Sequence, residues 1–116
     1  MVYKVAAASS DGKVINQHFG QAHRFFVAEI DTDTHTYEWI ATREVSPACK
    51  TDGHSEEDFK RTLAELYDCK LLLVSRIGPA ARAFVEEQGI KVIEVADLAQ
   101  VCLEKIAKSR VVLFDA

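Results

Sequence analysis

Two alternating strands around a polar turn, followed by apolar strands interleaved with helical segments, predict an α/β domain on a mixed sheet. Three observations carry this. Residues 24–30 and 37–45 are strand-like and flank the polar turn DTDTHT, the pattern of an antiparallel hairpin. KLLLVS, residues 70–75, is apolar through its centre, as in a parallel strand covered on both faces. After it, helical periodicity and short strands alternate to the end of the chain, so the early strands are antiparallel and the late ones parallel.

The elements follow in order. VYKVAAAS, residues 2–9, is a first strand of small and β-branched residues, and Asp11-Gly12 is a turn signal. Residues 13–15 (KVI) read as a short return strand. In the strand at residues 37–45, Tyr37, Trp39, Ala41 and Val45 fall on one face with Arg43 in register among them. Residues 46–54, SPACKTDGH, form the longest stretch without a period. Ser55 with Asp58 reads as a capping box, and Phe59, Leu63 and Leu66 as the apolar stripe of the helix it opens. Pro79 suits the first turn of a second helix and Gly89 its stop. Residues 91–95 are a short strand. Asp97 caps a last helix in which Leu98, Val101, Cys102 and Ile106 share a face. RVVLF, residues 110–114, reads as a final strand.

The chain has 116 residues, the length of a single domain spanning residues 1–116. It is 48% hydrophobic and 28% charged, a globular and not a disordered composition. A formal net charge of −4 opposes a general nucleic-acid binder, which needs a basic face for phosphates. No apolar run reaches membrane-spanning length, and the first residues lack a signal peptide's apolar segment, so the expectation is a cytoplasmic protein without membrane contact. Three cysteines without paired short spacing make no disulfide framework. Four would be needed for an all-cysteine iron–sulfur centre.

Candidate chemistry concentrates in INQHFGQAHRFFVAEI, residues 15–30. His18 reads as a general base, a phosphate acceptor, a metal ligand or a plain turn histidine. His23 reads as a flanking polar residue and His35 as solvated in the hairpin turn. Cys69 and Cys102 lie on apolar rows and read as buried small hydrophobes. Cys49 differs: it sits in the irregular stretch beside Lys50, with His54 five positions on, where a thiolate is favoured and soft metals bind. Arg76-Ile77-Gly78-Pro79 joins a strand end to a helix start, whose free N–H groups suit an anion. No nucleophile elbow, Walker loop or GxGxxG is present, which argues against an enzyme. A nuclease would need carboxylates on the central strands to hold magnesium. The first strand has none, and Asp11 belongs to a turn.

DGKVINQHFGQAHRFFVAEID, REVSPAC and DCKLLLVSRIGPAARAFVEEQGIKV together resemble the dinitrogenase iron–molybdenum cofactor biosynthesis family, which includes NifX-like proteins and the C-terminal domain of NifB-type proteins. HFG with its upstream DG is the most specific part of the match, which runs to about Val95. The resemblance implies a three-layer ribonuclease H-like fold. It also implies a carrier in nitrogen fixation that holds an iron–molybdenum cofactor or its iron–sulfur precursor transiently, without turnover and without a permanent cofactor. Cluster donor and acceptor proteins would be its partners. By the same resemblance His18 is the first cluster ligand and Cys49, after its Ser-Pro pair, the second. Phe19 becomes a core anchor and Gly20 a residue permitting close backbone approach. Nothing matches a radical-SAM cysteine triplet, so the chain is not expected to build the cluster. Such a cargo is a sulfur-rich anion. Neutral imidazole suits its iron, and Arg24, Arg43, Lys50, Arg76 and the Gly78 junction are expected to add positive character. The competing expectation is a regulatory or protein-interaction module on the same fold, without a cluster.

Overall fold

The computed structural model describes residues 1–45 and 56–108. A five-stranded sheet runs in the order β3-β2-β1-β4-β5. Its strands are β1 (Val2–Ala8), β2 (Arg24–Asp31), β3 (Thr36–Glu44), β4 (Cys69–Val74) and β5 (Lys91–Glu94). The helices are α1 (Glu56–Ala64), α2 (Pro79–Glu87) and α3 (Ala99–Lys108). β1 pairs antiparallel with β2 and parallel with β4, β2 pairs antiparallel with β3, and β4 pairs parallel with β5. The sheet is therefore mixed, with its change of direction at β1, as the sequence predicts.

Strand alternation sorts the core into two layers. Ala6, Ala8, Phe25, Val27, Leu72, Val74 and Val92 face one side, against Leu63 and Leu66 from α1 and the turn after it and Ala81 and Val85 of α2. Tyr3, Val5, Ala7, Ala28, Ile30, Leu71 and Leu73 face the other, against Ala99, Cys102, Leu103 and Ala107 of α3. Leu71 to Val74 are consecutive and fully buried, because β4 lies inside the sheet with helices over both faces.

Three expectations are corrected. Residues 13–15 form no return strand. Val14 makes one antiparallel bridge to Leu98, flanked by hydrogen bonds from Ile15 N to Asp97 O and from Ala99 N to Lys13 O, so this stretch clamps the start of α3. In β3, Ala41 lies opposite Val27 and Trp39 opposite Ala28, which leaves Ile40 as an extra residue. This bulge turns Tyr37 and Trp39 to the α3 face and Ala41, Arg43 and Val45 to the other. Leu98 is 50% exposed; the buried stripe of α3 is Ala99, Cys102, Leu103 and Ala107. His35 is exposed in the hairpin turn, as expected, and has a left-handed φ of 59°; its Nδ1 also lies 3.0 Å from Ala107 O at the C-terminal end of α3. The capping box at Ser55 and Asp58, the stripe position Phe59 and the strand at residues 110–114 lie outside the described residues or side chains.

Candidate functional site

Local chemistry at the end of β1 shapes the loop that carries HFG. Ser9 is fully buried, and its Oγ accepts hydrogen bonds from Asp11 N (3.3 Å) and Gly12 N (2.9 Å). Asp11 Oδ1 accepts in turn from Lys13 N (2.9 Å) and Val14 N (3.3 Å), the usual way a short polar side chain closes a turn on itself. These bonds hold the Asp11 carboxyl below the usual carboxylate range, the backbone N–H of Lys13 contributing most. Gly12 adopts φ +80°, and a Cβ there would meet Phe26 Cε1 at 2.9 Å. The DG turn therefore folds tightly over Phe26 and sends the chain back across the carboxyl ends of the parallel strands.

There the returning backbone takes over from β1 as the neighbour of β4. Gln17 N donates to Ala8 O (3.3 Å), Ser75 N to Gln17 O (3.1 Å), and Phe19 N to Arg76 O (2.9 Å). His18 and Arg76 form a parallel bridge. Phe19–Gln21 then closes one turn of 3-10 helix. Phe19 is fully buried in the α1–α2 core layer, a burial worth about 2–3 kcal/mol. His18 has extended backbone, φ −75° and ψ 143°, so its side chain alternates outward from Phe19, and it is exposed. The phenylalanine is the peg that fixes the imidazole's position.

His18, Gly20, Gln21, Arg76, Ile77 and Gly78 line an open cleft of about 180 Å³. It lies at the carboxyl edge of the parallel strands, where α/β sheets of this kind hold ligands. On its far wall Gly78 is the N-cap of α2, with no side-chain cap, and Pro79 follows at the first helical position. A Cβ on Gly78 would meet nothing within 4 Å, so the wall is open there.

The structure thus brings together His18, Gly20, Arg76 and Gly78 in one cleft with Phe19 beneath. Two predicted residues are elsewhere. Arg43 donates to Asp68 Oδ1 (2.6 Å) and Oδ2 (2.9 Å) and to Glu65 O (2.7 Å). Asp68 precedes β4 and Arg76 follows it, so the length of that strand separates Arg43's guanidinium from the cleft. Arg24 pairs with Glu44 (2.8 Å) and Ser10 O (3.1 Å), so a carboxylate already balances its charge and it does not line the cleft. Cys49, Lys50 and His54 lie outside the described residues. Among the described residues no group of three or more His, Cys, Asp or Glu side chains converges to hold a metal ion. Cys69 and Cys102 are buried; desolvation pushes the Cys69 thiol up to about 11, so it is no thiolate donor. Sequence reasoning included Ile77 in the junction but missed Gln21, although it adjoins Gly20, which was selected.

A family described as "Dinitrogenase iron-molybdenum cofactor" matches residues 1–109. The chain belongs to this family. Its relatives include the "FeMo cofactor biosynthesis protein NifB" of Frankia alni, 34% identical over 90% of this chain and 21% of that protein. Another is "Protein NifX" of Klebsiella pneumoniae, 32% identical over 76% of this chain and 53% of that protein. The chain therefore spans about a fifth of the length of its NifB relatives and half that of NifX. Among solved structures, PH0822 aligns with a TM-score of 0.69 at 19% identity, covering 90% of this chain and 88% of that one. The apo orange protein of Desulfovibrio gigas aligns at 0.60 and 21% identity, covering 90% and 86%. These two likenesses show the shared fold. The description of the family and the names of the NifB relatives concern the iron–molybdenum cofactor and its biosynthesis, and no helix among the described residues is long and apolar enough to cross a membrane.

Proposed function

We propose that this chain binds and carries an iron–molybdenum cofactor, or its iron–sulfur precursor, between donor and acceptor proteins of cluster assembly. It performs no turnover and acts in the cytoplasm, as one domain of ribonuclease H-like architecture with no permanent cofactor. The observation that carries this reading is the bridge between His18 and Arg76. It sets an exposed imidazole beside an exposed guanidinium at the rim of an open cleft. A sulfide cluster brings most of its own ligands, so a carrier needs few donors. His18 supplies one nitrogen to iron, and Cys49 is its candidate partner. Gly20 and Gly78 leave the cleft free of side-chain bulk, and an open rim allows release.

Anaerobic titration of the chain with isolated cofactor or precursor tests the proposal. Stoichiometric uptake, weakened by His18→Ala, is expected; no uptake by the wild-type chain refutes it. One observation favours a second reading, an interaction module without a cluster: edge strand β3 leaves Trp39 and Ile40 40% and 42% exposed. Co-purification of a partner with metal-free protein, lost on Trp39→Ala and indifferent to His18→Ala and Cys49→Ala, would favour that reading.

A further inference from the structure

Arg76 stands apart from the other arginines around it. Arg24, Arg43 and Arg82 each pair with a carboxylate. Arg76 is exposed and makes no ion pair with any described residue, yet its main chain is bonded to the HFG turn through Phe19 N. The backbone at this position is fixed while no described residue compensates the charge. The cleft's described lining contains no carboxylate, so no anionic group among the described residues there attracts a cation.

We infer that Arg76 is the residue by which this cleft selects a preassembled anionic metal–sulfide cluster over a free metal cation. The inference rests on the carrier reading and deepens it by naming the residue that separates this cargo from a free metal ion. A bare divalent ion needs about four donors to be held firmly, and here it would find one described imidazole beside a fixed positive charge. A cluster already saturated with sulfide reverses both terms: it lacks one ligand per exposed iron, which His18 fills, and its negative charge is matched by the guanidinium. Arginine suits this role because it stays charged at all working pH values and presents several donors in one plane. Gln21, on the same wall, can add a neutral donor to a sulfide edge.

The test is an anaerobic titration with two probes, a synthetic tetranuclear iron–sulfide dianion bearing labile thiolates and aqueous cobalt(II). They are applied to the wild type, Arg76→Ala, Arg76→Lys, Arg76→Glu and His18→Ala. The wild type should take up the cluster and bind cobalt weakly. Arg76→Ala should lose about tenfold in cluster affinity, the share of a charge-assisted contact at an exposed site. Arg76→Glu should lose more while gaining cobalt affinity, and Arg76→Lys should retain most of the binding. The fall in wild-type affinity with added salt should flatten in Arg76→Ala, since exposed charges are screened. Equal cluster affinity in wild type, Arg76→Ala and Arg76→Glu overturns the inference and leaves the carrier reading standing. Cobalt binding to the wild type as tight as cluster binding overturns it as well. Absence of cluster uptake by the wild type defeats both.

Discussion

Removing the carboxylate of Asp68 tests the network that fastens edge strand β3 to the body of the sheet. Asp68 accepts two hydrogen bonds from Arg43 and one from Lys4 Nζ at 3.2 Å. The Arg43 and Asp68 side chains are 22% and 23% exposed. An Asp68→Asn change keeps the shape and one acceptor oxygen but removes the charge and replaces the second acceptor with an amide donor, so that Arg43 and Lys4 lose their counter-ion. Breaking a fully buried pair costs about 3–5 kcal/mol; the water reaching this one reduces the expected loss to about 2 kcal/mol. In a domain of this size that lowers the melting temperature by about 8 °C. The loss also depends on pH. The Arg43 guanidinium, with Lys4 in support, holds the Asp68 carboxyl well below the usual carboxylate range. In the unfolded chain it titrates near 3.9, so its contribution is complete above about pH 5 and declines as pH falls, by about 1.4 kcal/mol per unit. At pH 3 roughly half of the difference between wild type and Asp68→Asn should have gone. Urea denaturation at pH 7 and pH 3, followed by the fluorescence of the single tryptophan, Trp39, measures both. A pH-7 difference under about 0.5 kcal/mol, or one that is unchanged at pH 3, refutes the reasoning.

Two further predictions concern the turn and the thiols. Gly12→Ala should cost about 2–3 kcal/mol, because a left-handed backbone and contact with Phe26 act together. Gly89→Ala, at φ +86° with nothing within 4 Å of the added methyl, should cost only about 1 kcal/mol; equal losses in urea denaturation would remove the role given to Phe26. Burial pushes both Cys69 and Cys102 upward, Cys69 to about 11, leaving about one Cys69 thiol in a thousand ionised at pH 8. A Cys49→Ser protein should therefore resist thiol reagents when native and consume two equivalents in urea; rapid native labelling would contradict the buried assignments.

Much of the fold was legible because its signals are local. The hairpin shows in alternation, β4 in its run of leucines, and α2 in a proline at one end and a glycine at the other. The Ile40 bulge left no such mark, since neither glycine nor proline announces it, and it alone reversed the expected face of Ala41, Arg43 and Val45. Leu98 looked like a stripe residue by spacing, yet the clamp from residues 13–15 starts the helix after it. At the site, His18 and Gly78 were visible as chemistry in a loop and at a helix start. Their convergence was not, because Arg76 meets His18 through backbone bonds between segments far apart in the chain. Arg24 and Arg43 could be counted as positive charge from sequence. Only the fold shows that Glu44 and Asp68 already claim them.

Backbone hydrogen bonds from Gln17, Phe19 and Ser75 form one wall of the cleft and at the same time extend the pairing of β1 and β4. A ligand that tightens this wall must slow solvent exchange at those three amides, and one that pries it apart must quicken it. Occupancy of the cleft is thus readable in the exchange rates of three backbone protons, with no need to see the ligand itself.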